Sequence, residues 1–71
     1  MSLGKKIQML KHQRGFSAEF CAEQLGVDVK TWWNWERDKT IPNVFFVCCM
    51  AKLFAVTTDE LLRDENGGFR V

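Results

Sequence analysis

The stretch Asp28-Val29-Lys30-Thr31-Trp32-Trp33-Asn34-Trp35-Glu36 decides how the rest of the chain must fold. The Asp28 carboxylate can accept from the free backbone donors at the start of a helix, so it reads as an N-cap. Trp32 and Trp35 stand three apart and share one helical face, while Val29, Lys30, Trp33 and Asn34 fall mostly on other sides. One face anchors this helix and the other is available for contact. Lys and Asn hydrogen-bond base edges, and a Val methyl can meet a thymine methyl, so the exposed set suits a major groove.

Toward the N-terminus, Ser17 caps a shorter helix running to about Gln24, with Cys21, Ala22 and Leu25 supplying its inward positions and Gly26 stopping it. Ala22 is small enough to let two helix backbones approach closely. Between Leu25 and Asp28 there is room only for a tight turn, so the two helices must cross steeply, as in a helix-turn-helix. Before them, Leu3, Ile7 and Leu10 follow the spacing of a helix with one buried stripe from Leu3 to Arg14, and Gly15 ends it. Lys5, Lys6, Lys11, His12 and Arg14 take its remaining surface, which reads equally as a solvated face or a contact surface.

Toward the C-terminus comes the polar loop Arg37-Asp38-Lys39-Thr40-Ile41-Pro42-Asn43. Pro42 keeps Ile41 out of helical geometry, and Asn43 can cap the next helix. That helix is expected over Val44 to Phe54, apolar almost all round, with Lys52 its sole charge. Such a helix must be covered on more than one side, as a core helix, a subunit interface or both. Thr57 or Thr58 then caps a last short helix from Asp59 to Arg63, its acids at the N-terminal end as the helix dipole prefers and Leu61 and Leu62 facing the core.

The 71 residues suggest one domain over residues 1–65 and a flexible tail over residues 66–71, with Phe69 and Val71 as the tail's only docking candidates. The longest apolar run, Val44 to Ala51, falls far short of the ~20 residues that cross a bilayer. No apolar region follows Lys5 and Lys6, so no secretory signal is read, and a soluble, cytoplasmic protein without membrane partner is expected. Cys21, Cys48 and Cys49 have no metal-ligand spacing, and their odd number argues against a disulfide framework. All three are expected to be small buried hydrophobes. No metal or cofactor is expected, and a cysteine nucleophile would need His12 brought beside it.

The net charge of +1 is unevenly spread. Residues 1–14 hold four bases and no acid, residues 15–42 three bases and five acids, and residues 43–71 three bases and four acids. Nucleic-acid binders usually carry a stronger positive field, so charge alone does not point to DNA.

A resemblance does point there. Gly15-Phe16-Ser17, Cys21-Ala22-Glu23-Gln24-Leu25-Gly26-Val27, Thr31-Trp32, Trp35-Glu36-Arg37, Pro42 and Thr57-Thr58-Asp59-Glu60-Leu61-Leu62 resemble the Cro and lambda-repressor-like (Xre-like) helix-turn-helix family. The likeness runs from about Gly4 to Arg63 in one register. It implies an all-α, five-helix domain whose second and third helices form the helix-turn-helix. It further implies a sequence-specific binder of double-stranded DNA, a transcription regulator and most often a repressor, acting as a homodimer on an inverted repeat. Half-sites would then lie about one helical turn, ~34 Å, apart.

Carried over by position, the resemblance assigns base reading to Val29, Lys30 and Asn34, with Lys30 suited to guanine O6 and N7 and Asn34 to adenine N6 and N7. Ser17, Lys39, Thr40 and Asn43 match positions that grip the DNA backbone. It also implies an internal ion pair between Lys11 and Glu36. The chain departs from the family pattern at Ala18, where a phosphate-contacting Gln is common, and at Asp38, which replaces a usual Gly and puts an acid near the expected DNA backbone. Such an acid would be repelled unless tied to Arg37 or Lys39. Trp33, Phe20, Phe45, Phe46, Cys49 and Leu53 occupy commonly polar positions, which suggests an additional covered surface. Trp33 could stack on DNA sugars, pack on a neighbouring helix or face a partner, with packing the expectation. Phe45, Phe46, Cys49 and Leu53 are candidates for a dimer or partner interface, or for cover by the tail.

A second reading keeps the fold but recruits its surface to hold another protein, in an antitoxin-like or anti-repressor-binding role. An enzyme is not expected. The carboxylate pairs Glu19 with Glu23 and Asp59 with Glu60 carry no pocket signature, no glycine-rich phosphate loop is present, and no small-molecule substrate is implied.

Overall fold

The computed structural model of the chain describes residues 2–62. They form five helices and, among the described residues, no strand: α1 Leu3–Arg14, α2 Ala18–Leu25, α3 Val29–Glu36, α4 Val44–Phe54 and α5 Thr58–Leu62. This is the expected all-α, five-helix architecture, with α2 and α3 as the helix-turn-helix. The expected bounds of α1, α3 and α4 coincide with the observed ones, and α2 runs one residue further, to Leu25. Arg63 and the tail of residues 66–71 lie outside the described residues.

Each start is written in a short polar side chain. Ser2, Ser17, Asp28 and Asn43 precede α1 to α4 in extended geometry and accept from the backbone N–H of Lys5, Phe20, Lys30 and Phe46 respectively. At α5 the choice between two threonines falls to Thr57, whose hydroxyl accepts from Glu60 N–H at 3.0 Å.

The ends share one device. After α1, Gly15 N–H donates to His12 O and Phe16 N–H to Lys11 O, and the same pair of bonds recurs at Gly26 and Val27, at Asp38 and Lys39, and at Ala55 and Val56. This closure needs a left-handed residue, which glycine adopts without steric cost. Gly15 and Gly26 meet that need, whereas Asp38 and Ala55 each sit at φ 57° with a Cβ in place. A left-handed residue with a side chain costs roughly 1–2 kcal/mol, so two of the four closures carry strain.

The core is built around Trp32, which is fully buried with Ile7, Cys21, Met50 and Phe54. Its ring meets Trp35 edge-on at 6.1 Å and Phe54 at 6.2 Å, and Trp35 in turn packs on Phe46 at 5.3 Å. Burying aromatic side chains of this size contributes several kcal/mol in total, at roughly 25 cal/mol per Å² of apolar surface. The two tryptophans thus fasten α3 to the rest of the molecule through one face only. Glu36, at the end of that face, accepts from Trp32 Nε1 and pairs with Lys11 Nζ at 2.8 Å. The ion pair implied by the resemblance is therefore present, and it ties α1 to α3.

Expectations for α4 and the cysteines need adjustment. Val47, Met50, Ala51 and Phe54 face the core, but Val44 is 74% exposed and Phe45 63% exposed. Only the middle and end of α4 are sealed by neighbours. Cys21 is buried, Cys49 is partly buried and Cys48 is exposed, so the buried-hydrophobe reading fails for Cys48, which lies on the outer side of α4.

Candidate nucleic-acid interface

With Trp32 and Trp35 turned inward, helical periodicity sends Lys30, Trp33 and Arg37 outward along one line of α3, with Asn34 beside it. Lys30 and Arg37 are exposed, Asn34 is half-buried, and Trp33 is 39% exposed. The expectation that Trp33 packs away is thus met only in part, since its outer edge shares the surface of Lys30. Val29, the third predicted base reader, is half-buried and packs against the core. Its remaining surface borders the same face.

Arg37 was not among the predicted site residues. Treated as the residue after the helix, it drops out of the helical wheel. Its observed φ of −92° and ψ of 5° carry the spiral on by nearly one more position. Extending the wheel by one residue would have found it.

The flanking backbone-contact candidates lie at the start of α2, on the α3–α4 loop and at the start of α4. Ser17 and Asn43 are exposed caps whose oxygens accept from Phe20 N–H at 3.0 Å and Phe46 N–H at 3.1 Å. Each retains a donor, the Ser17 hydroxyl hydrogen and the Asn43 amide N–H₂, that can reach an anion. Lys39 and Thr40 are exposed on the α3–α4 loop, and their backbone N–H groups bond Asn34 O at 2.9 and 3.4 Å. The loop is thereby fastened to the helix that carries the outward face. Ala18, in place of a phosphate-contacting Gln, is buried in the core.

Asp38 behaves differently from the expectation of a carboxylate tied to Arg37 or Lys39. Its Oδ2 accepts from the Ser2 hydroxyl at 2.6 Å and its Oδ1 from Gly4 N–H at 2.9 Å, both at the start of α1. The acid stays at the surface but is held on the start of α1, and the positive side chains Lys30, Arg37 and Lys39 are exposed as well. Among the described residues no group of His, Cys, Asp and Glu is placed to hold a metal ion, and no helix is long and apolar enough to cross a membrane.

The four predicted protein-contact residues separate into two kinds. Phe45 is exposed, whereas Phe46, Cys49 and Leu53 are half-buried and pack against the core. Ile41, 82% exposed, and Val44 are more exposed than Phe45, and Cys48 is exposed too.

A short anchored helix presented across a tight turn, with a polar outer face and capped helix ends beside it, defines a helix-turn-helix domain. The chain belongs to that family: the model of the helix-turn-helix domain matches residues 2–64. This is a family of helix-turn-helix domains and not one of enzymes. Among similar proteins is the HTH-type transcriptional activator BcrR of Enterococcus faecalis, 38% identical over 66 residues, which are 93% of this chain and 32% of that protein. The chain therefore spans about a third of that relative's length. Among solved structures, a chain of the SinR protein/SinI protein complex superposes with a TM-score of 0.81 at 26% identity, covering 90% of this chain and 62% of that one. The P22 c2 repressor bound to a synthetic operator gives the same TM-score, 0.81, at 21% identity over 86% of this chain and 92% of that one.

Proposed function

We propose that residues 1–65 form the DNA-binding unit of a transcription regulator that reads double-stranded DNA through the outer face of α3. The observation that carries this reading is the row Lys30, Trp33 and Arg37 exposed on a helix held from behind by Trp32 and Trp35. Lys30, Asn34 and the open edge of Val29 read base edges, while Ser17, Lys39, Thr40 and Asn43 hold phosphates on either side. The name of the activator relative and the operator in the P22 c2 complex support the same reading. Repression by occupying the operator, as a homodimer on an inverted repeat in the cytoplasm, is the proposed output.

Lys30→Ala tests the assignment. Preference should relax at one position of the bound sequence, by roughly 1–3 kcal/mol for the lost contact, with the remaining positions read as before. An unchanged preference at every position would remove Lys30 from the reading face.

The open apolar surface of Ile41, Val44, Phe45 and Cys48 favours a second reading, in which the same fold holds a protein partner. SinR was solved in complex with SinI, an instance of this fold bound to a protein. Salt separates the two: phosphate binding weakens steeply as salt rises, whereas apolar association does not.

A further inference from the structure

A close backbone contact between α1 and α3 lies at the start of one helix and the end of the other. A Cβ on Gly4 would stand 2.6 Å from both Glu36 O and Trp35 O and 2.8 Å from Asp38 Cγ. No side chain fits there, so the backbone of the first turn of α1 rests directly on the last turn of α3. Asp38 closes this contact. It holds a left-handed backbone at φ 57°, and its carboxylate accepts from Ser2 Oγ and from Gly4 N–H, across 36 and 34 residues of sequence. Ser2 Oγ in turn accepts from Lys5 N–H at 3.2 Å, so the cap of α1 and the closure of α3 are one hydrogen-bonded unit. The negative charge also faces the positive end of the α1 dipole.

We propose that Asp38 is a positioning residue for DNA reading: a latch between α1 and the α3–α4 loop that sets how α3 and its flanking phosphate contacts meet the groove. The inference rests on the DNA-binding reading above. Asp38 N–H bonds Trp35 O, and the next two N–H groups, of Lys39 and Thr40, bond the carbonyl of Asn34. Whatever fixes Asp38 therefore fixes both a base-reading residue and the two loop residues beside it. The latch also draws a carboxylate away from the side on which Lys39 and Thr40 would meet phosphate, where it would repel the ligand.

Asp38→Gly separates the latch from the strain, because glycine takes the left-handed geometry freely while losing both side-chain bonds. Asp38→Asn is the conservative control, since its amide oxygen still accepts from Gly4 N–H. Two quantities are read on the full chain. One is discrimination between the duplex that the wild type selects from random DNA and a scrambled duplex of the same length. The other is the exchange rate of the Lys39 amide hydrogen. For Asp38→Gly, discrimination falls about tenfold, the scale of one poorly made base contact, and Lys39 exchanges about tenfold faster; Asp38→Asn holds both near wild type. Should Asp38→Gly not fold, Ser2→Ala removes one of the two latch bonds together with the α1 cap and shows the same changes to a smaller degree. Unchanged discrimination in a folded Asp38→Gly protein, even with lowered stability, would overturn the latch. If the wild type selects no duplex, the DNA reading fails by itself, and Lys39 exchange equal in wild type and Asp38→Gly overturns the latch independently.

Discussion

At the scale of single residues, Ala55 and Cys21 carry costs that can be measured. Ala55 closes α4 at φ 57° and is exposed, so its methyl group packs little and strains the backbone. Ala55→Gly should raise stability by about 1 kcal/mol, seen as a higher denaturant midpoint at unchanged slope. A lower midpoint would mean that glycine's extra freedom in the unfolded chain outweighs the relieved strain. Burial pushes the Cys21 thiol from 9.0 up to about 11, against the pull of the Lys11 ammonium and with a smaller push from Glu36. Because the folded value lies above the unfolded one, the unfolded chain loses this proton first as pH rises. Stability should therefore be unaffected by this group below about pH 9 and should fall between about 9 and 11. Cys21→Ala should flatten the fall across that window; equal slopes in both proteins would clear the thiol as a cause. The sequence told which residues cap helices, because a cap bonds within three residues of itself. It could not tell where Asp38 points, because its partners lie more than thirty positions away and only the packing of α1 on α3 brings them together.

Between elements, the α1–α3 contact at Gly4 leaves no room for a side chain. Gly4→Ala puts a methyl group against two backbone oxygens that cannot give way separately, since both belong to the last turn of α3. A loss of roughly 1–3 kcal/mol is expected, the scale of overpacking, together with faster exchange of the amides near the end of α3. A neutral effect would mean that α1 can slide on α3. The spans of α1, α3 and α4 were legible because each carries a polar cap, an apolar spacing and a stop. The facing of α4 was less so. With Lys52 its only charge, the helix wheel has no polar side to mark which of Val44, Phe45, Phe46 and Cys49 turns inward, and neighbouring helices decide it. On α3 the two inward tryptophans were legible from their spacing, whereas the exposed edge of Trp33 was not, because burial statistics for tryptophan favoured packing.

For the whole molecule, the distribution of surface matters more than the net charge of +1. Asp38 is held on the start of α1 and Glu36 is paired with Lys11, while Lys30, Arg37 and Lys39 are exposed on or just after α3, the face proposed to meet DNA. The exposed apolar residues Ile41, Val44 and Phe45 beyond the loop are candidates for contact with a second copy or with the protein partner of the second reading. Phe45→Glu should shift the monomer–dimer balance toward monomer in sedimentation while leaving the thermal midpoint within a few degrees, since Phe45 is 63% exposed. Unaltered self-association would assign that surface to a different partner. The most direct test of the central claim is to select from random duplex DNA at near-physiological salt and sequence what the purified protein retains. The account predicts a motif with two-fold symmetry and half-sites about one helical turn apart. Retention without any motif, or no retention at all, would contradict it and leave α3 as a structural helix beside a protein-binding surface.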